Sequence, residues 1–159
     1  MQLLVLPPKY EPPVIPGRVL QPARTPEQRA SLLKWASMLT GAHPVGFVGS
    51  APYEAFGVIN GERLTAAIFL TNFVNRDAEV SVCGTPGWLT RRVCKEFFGF
   101  AFQTAQLQRL TAFTARKNKP SRTLLEGLGF TLEGVRRKAL HGKHDLIMYG
   151  LLAKDCRWI

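Results

Sequence analysis

The side chains able to do chemistry are few and scattered. Glu79 opens the alternating stretch Glu79-Val80-Ser81-Val82-Cys83, so its carboxylate stands on the face opposite Val80 and Val82. A carboxylate there can take a proton from an incoming ammonium, directly or through water, or it can be an exposed charge at a strand end. Cys83 closes the same stretch, where a covalent acyl-cysteine is conceivable and a small buried thiol is the preferred reading. Ser121 stands at the head of a short helical pattern, where its hydroxyl can cap the helix beginning near Pro120 or donate a proton. His141 and His144 flank a turn; two ligands on one loop do not define a metal site, and His43 cannot be set beside them from sequence. Basic side chains gather at Arg91, Arg92 and Lys95, at Arg116, Lys117, Lys119 and Arg122, and at Arg136, Arg137 and Lys138. Each group is a solvated face by default, and for the first two a phosphate-binding rim is the sharper alternative.

These residues sit in a chain of 159, 46% apolar, a size and content that suit one compact domain and leave no room for a second. No apolar run approaches the ~20 residues needed to span a bilayer. The opening Met-Gln-Leu-Leu-Val-Leu is cut short by Pro7 and Pro8, so the chain reads as soluble, unexported and cytoplasmic. Cys83, Cys94 and Cys156 are odd in number, with no Cys-x-x-Cys spacing, and suggest reduced thiols rather than disulfides or zinc. Twenty-one Lys and Arg against eleven Asp and Glu give a net charge of +10, which favours polyanions or anionic cofactors. No helix-turn-helix, zinc-finger or RNA-recognition signature accompanies that charge, so nucleic-acid binding ranks last.

Residues 1–25 carry Pro7, Pro8, Pro12, Pro13, Pro16 and Pro22 and read as an extended arm that packs on its own domain or on a partner. The domain proper is expected over 26–159. Thr25-Pro26-Glu27-Gln28 offers a cap, a first-turn proline and a reciprocal glutamine for a helix to about Leu39, with Leu32, Leu33, Trp35, Ala36 and Leu39 buried and Gly41 near its end. Asn60-Gly61 between two apolar runs predicts a hairpin over 55–73. A strand over 79–83, a turn at Gly84-Thr-Pro-Gly87 and a helix over about 88–106 follow, the helix with Leu89, Val93, Phe97 and Ala101 as its buried row. Then come a strand over 107–115, a short helix over 121–128, a strand over 130–140, and a strand over 145–152 apolar on both faces, which suits the sheet interior. Helices interleaved with strands imply an α/β architecture, a mixed sheet covered by helices.

The segment Ala115-Arg-Lys-Asn118-Lys-Pro-Ser121-Arg-Thr-Leu-Leu125-Glu-Gly-Leu-Gly129-Phe130-Thr-Leu-Glu133-Gly134 resembles the C-terminal half of the GCN5-related N-acetyltransferase (GNAT) family. In that family an Asn ends the fifth strand, Ser or Ala opens the next helix, and the helix closes on Leu-Gly-Phe with Glu-Gly soon after. The closing Tyr149 to Trp158 stretch also resembles small acetyltransferase-like proteins of phages and prophages. The resemblance covers about residues 55–158.

It implies a GNAT-like mixed, mostly antiparallel sheet whose fourth and fifth strands, here 79–83 and 107–115, splay apart. It further implies acetyl-CoA as cosubstrate, no metal, and an amine of a protein or small molecule as acceptor. The pantetheine arm would bond to backbone at Val80 and Val82. The pyrophosphate would meet amides over Trp88, Leu89, Thr90 and Arg91, with Thr90 and Arg91 adding side-chain donors and Arg92, Asn118 and Arg122 also counted among the cofactor-binding residues. The family's phosphate loop, Gln/Arg-x-x-Gly-x-Gly/Ala, is replaced here by Gly84-Thr-Pro-Gly87-Trp88-Leu-Thr90-Arg91-Arg92, for which a plain strand-to-helix turn capped by Thr85 is the equal alternative. The family's proton-donating Tyr corresponds to Leu125, which leaves Glu79 as candidate base and Ser121 as candidate acid. An adaptor of this fold in a phage particle, docked through residues 1–25, is the competing reading. Acceptor loops are expected at 40–54, 72–78 and the last hairpin.

Overall fold

The structure is a computed structural model that describes residues 17–41 and 52–159. The residues of the proline-rich stretch before Gly17, His43 and most of the loop expected to contact the acceptor lie outside the described residues.

Seven strands form one sheet in the order β1-β2-β3-β4-β5-β7-β6. They are β1 (Leu20–Pro22), β2 (Glu54–Asn60), β3 (Arg63–Val74), β4 (Asp77–Gly84), β5 (Arg109–Ala115), β6 (Thr131–Leu140) and β7 (His144–Leu152). Every neighbouring pair is antiparallel except β4 and β5, which are parallel. The helices are α1 (Pro26–Thr40), α2 (Arg91–Phe98), which runs on into a π-helical segment at Gly99–Thr104, and α3 (Lys119–Leu128). The mixed, mostly antiparallel sheet flanked by helices is the expected architecture.

Local chemistry explains most boundaries. Thr25 accepts from the Gln28 amide and the Gln28 side chain accepts from the Thr25 amide, a complete capping box, while Gly41 closes α1 at φ 72°. Gly129 at φ 104° ends α3, and Phe130, 5% exposed, drops into the core just before β6. The β2–β3 turn uses Gly61 and Glu62 rather than Asn60 and Gly61: Asn60 pairs with Arg63 and only Gly61 takes a positive φ, 64°. The tail of the proline-rich stretch joins the sheet as β1. Pro22 is tolerated because it ends an edge strand, where a missing donor costs nothing.

Two apolar clusters lie on opposite faces of the sheet. One packs α2 and α3 against Ile68, Ala78, Leu110, Ala112 and Ile147. The other packs Leu32, Trp35 and Ala36 of α1 on Ala55, Ala67, Phe69 and Cys83, so that α1 lies on β2, β3 and β4. Phe97, Phe98 and Phe102 belong to the first cluster, with Phe100 edge-on to Phe56.

Candidate active site

Parallel pairing of β4 and β5 is short: Asp77 opposite Arg109, Ala78 opposite Leu110, and Glu79 opposite Thr111. Beyond that last rung β4 stays with β3 through Gly84, and β5 stays with β7 through Ala115. The strands therefore splay into a V whose vertex is Glu79 and Thr111. Past the vertex, one edge of β4 faces the gap, and alternate backbone N–H and C=O groups of a strand edge without a neighbour point into it.

On the α2–α3 face the gap is walled by Val80 and Val82 of β4, Leu89, Val93 and Cys94, and Leu124, Leu125 and Leu128 of α3, with Trp88 at its rim. Its inner part encloses about 50 Å³. It continues outward into an open recess of about 480 Å³ bordered by Thr90, Arg91, Thr123, Gly127 and Trp158. Val82 is 38% exposed, an unusual state for a valine inside a sheet, because β5 has moved away from it. Leu125 is buried on this wall and offers no proton.

The loop before α2 departs from the expected helix start. α2 begins at Arg91, not Trp88, and Thr90 is its cap, accepting from the Val93 amide at 3.2 Å. The Trp88 amide is spent on the Thr85 carbonyl at 3.2 Å, which removes it from the set of amides assigned to a phosphate. Thr85 is not a helix cap: its amide and hydroxyl both donate to the Thr65 carbonyl. The Trp88 indole folds back onto Gly84, where a β-carbon would overlap its ring atoms. Leu89, Thr90 and Arg91 border the recess. Arg92 points elsewhere: its guanidinium donates to the Gly17 carbonyl and to Glu96 at 3.2 Å. Glu96 in turn accepts from the amides of Val19 and Leu20, tying α2 to β1.

At the head of α3 the expected cap, Ser121, is not the one used. Asn118 is the cap, its side chain accepting from the Ser121 amide at 3.2 Å, and Ser121 lies one turn inside the helix. The hydroxyl of Ser121 is thereby released from capping. Its position four residues before Leu125 places it on the helix face that walls the gap. Arg122 faces the other way, donating to the Tyr149 hydroxyl at 3.1 Å and to the Arg116 carbonyl, while Tyr149 donates to Glu126 at 2.9 Å.

The opposite face of the vertex is polar. Glu79 and Thr111 share it with Asp77 and Arg109. Arg109 grips Glu133 with both Nη atoms at 2.8 and 2.5 Å, and Thr111 accepts from Arg109 Nε and donates to Asp77. The Glu133 carboxylate lies over Gly150, where any β-carbon would collide with it. Hydrogen bonding from Arg109, against partial burial, holds the Glu133 carboxyl below its ordinary pKa. The Glu79 carboxylate makes no hydrogen bond or ion pair with a described residue. Cys83 is buried under α1 with its pKa pushed up to about 11 by burial, a thiol unsuited to carry an acyl group.

Of the residues singled out from sequence, Glu79 lies at the vertex and Val80, Val82 and Leu125 line the gap. Sequence reasoning missed the Arg109 fork, whose only written sign is the Glu133-Gly134 pair, and Trp158, which reaches the recess because Arg157 binds the Gly127 carbonyl and the indole donates to Leu128 at 3.0 Å.

No protein-family model matches the chain. It is 29% identical over 113 residues to YdaF of Bacillus subtilis (strain 168), named as a ribosomal N-acetyltransferase, a match covering 62% of this chain and 59% of that protein's length. Among solved structures, the spermidine N-acetyltransferase of Vibrio cholerae superposes with a TM-score of 0.56 and 21% identity over 67% of each chain. Two further crystal structures named as acetyltransferases superpose more fully. One has a TM-score of 0.67 at 18% identity over 87% of this chain and 88% of its own. The other has 0.63 at 21% over 86% and 94%. The mixed sheet with its one parallel pair, β4 and β5, superposes on these acetyltransferase structures, and the chain has the fold of the GCN5-related N-acetyltransferases.

Proposed function

We propose that the chain is an acetyl-CoA-dependent N-acetyltransferase acting on an amine. The observation that carries this reading is the divergence of β4 and β5 immediately beyond Glu79 and Thr111. The gap fits the cosubstrate's arm in kind: a free strand edge for its amides, aliphatic walls for its methylenes, and the start of α2 for its phosphates. Acetyl-CoA, when bound, supplies the activated acyl group.

The residues divide the remaining work. Backbone N–H groups of β4 past Glu79 bond the arm and polarise the carbonyl. Glu79, unpaired on the far side of the vertex, accepts a proton from the acceptor ammonium so that the neutral amine forms the new C–N bond. Ser121, freed from capping by Asn118, donates a proton to the departing thiolate as the C–S bond breaks and recovers one from the nitrogen of the new amide. Thr90 and Arg91 hold the phosphates. Arg92, Asn118 and Arg122 serve the framework. The adaptor reading rests on residues 1–25, of which the described part pairs with its own sheet as β1 and lends that reading no support.

Isothermal titration with acetyl-CoA and CoA tests the reading. Saturable binding of both is expected, and no detectable heat at millimolar cosubstrate overturns it.

A further inference from the structure

The face of the sheet that carries Glu79 changes sign along β5. Phe113 follows Thr111 by two residues, so it lies on the same face one strand repeat, roughly 6.6 Å, beyond the vertex. The guanidinium carbon of Arg136, from β6, sits 4.9 Å from the centre of the Phe113 ring. Stacking on an aromatic face fixes the plane of a guanidinium and leaves its N–H edge free to meet an anion.

Arg136 differs in this from the other arginines nearby. Arg109 is committed to Glu133 and Asp77, and Arg116 pairs with Asp145 at 3.7 Å. Arg136 forms no ion pair with any described residue and is exposed. Among the described residues, α1 packs mainly on β2, β3 and β4 rather than on the β5–β7–β6 side of this face. A carboxylate at the vertex and an oriented guanidinium over Phe113, neither paired with a described residue, thus put opposite charges on one face of the sheet.

We propose that Arg136 determines acceptor specificity by binding a carboxylate or phosphate that the acceptor carries beside its reacting amine. The inference rests on the transferase reading above. An extended peptide with a free α-amine and an acidic side chain at its second position presents both groups. A polyamine does not, because it brings a second cation to Arg136.

The test uses the full chain with acetyl-CoA and amidated peptides that differ only in glutamate, glutamine or lysine at the second position, with spermidine as a fourth acceptor. Release of CoA gives kcat and KM for each. The glutamate peptide is expected to exceed the lysine peptide by about tenfold or more in kcat/KM, mostly through KM. Arg136→Gln should bring the three peptides within about twofold of one another, and Arg136→Glu should reverse their order, with acetyl-CoA affinity unchanged in both as proof of folding. Equal use of the three peptides by the parent chain, a preference that survives Arg136→Gln, spermidine as the best acceptor, or acetylation of none of the four overturns the inference. Failure of the parent chain to bind acetyl-CoA is the separate result that removes the transferase reading.

Discussion

The indole of Trp88 rests on the α-carbon of Gly84, at the end of β4 where the gap between the splayed strands reaches the surface. A side chain as small as alanine has no room at position 84 while the ring stays there. The contact is therefore a shared constraint on two residues rather than a property of either.

Gly84→Ala should destabilise the chain by about 1–3 kcal/mol, the usual cost of overpacking. In a Trp88→Ala background the same change should cost less than about 0.5 kcal/mol, since its partner is gone. Urea unfolding of the four proteins of this cycle measures both. Trp88→Ala should also tighten acetyl-CoA binding by clearing the rim, and a weaker affinity in that variant would show that the ring supports the cosubstrate instead.

Glu79→Gln removes the proposed proton acceptor without changing the shape of the vertex. At neutral pH it should lower kcat/KM for an amine acceptor by about 10²- to 10⁴-fold, with acetyl-CoA affinity unaltered. Ser121→Ala should lower kcat by about tenfold and leave the acceptor KM alone. Steady-state kinetics with titration calorimetry on the same samples separates these effects from lost folding.

How much of this was legible in the sequence depends on the range of the interaction. Signals spoken within one turn of chain were readable: the Thr25–Gln28 box, the Gly129 stop, and the alternation that put Glu79 opposite Val80 and Val82. The cap of α3 shows the limit of such reading. Asn118 and Ser121 are both good caps, and only the helix start at Lys119 decides between them. The delayed start of α2 has a similar cause, because the turn bond from Trp88 to Thr85 competes with helix for the same amide. Contacts between distant strands left almost no trace. Arg109 and Glu133 stand 24 residues apart, and nothing local to Arg136 announces Phe113.

Glu133 should make stability depend on acid. Because Arg109 holds its carboxyl below the ordinary value of 4.5, its contribution is complete above that value and is lost as pH falls through the lower folded-state value. Both side chains are partly exposed, at 26% and 30%, so the pair contributes about 1 kcal/mol or less at neutral pH. Thermal melts of the parent and Glu133→Gln should differ at neutral pH and converge below about pH 4.5, in the region under the ordinary glutamate value.

Cys83 should be inert. With its thiol under α1 and its pKa near 11, it should resist iodoacetamide at pH 8 in the folded chain and react once unfolded. Cys83→Ala should retain acetyl transfer, and mass spectrometry of the native chain incubated with acetyl-CoA should show no acetylated Cys83.

The three tryptophans are distributed in a way that has a practical meaning. Trp35 is sealed beneath α1 at 1% exposure, whereas Trp88 stands at the rim of the inner gap and Trp158 on the wall of the recess. Two fluorophores thus flank the path a cosubstrate would take, and a third, on the other side of the sheet, supplies a constant background. The chain carries an unlabelled optical gauge of whether its own cleft is filled.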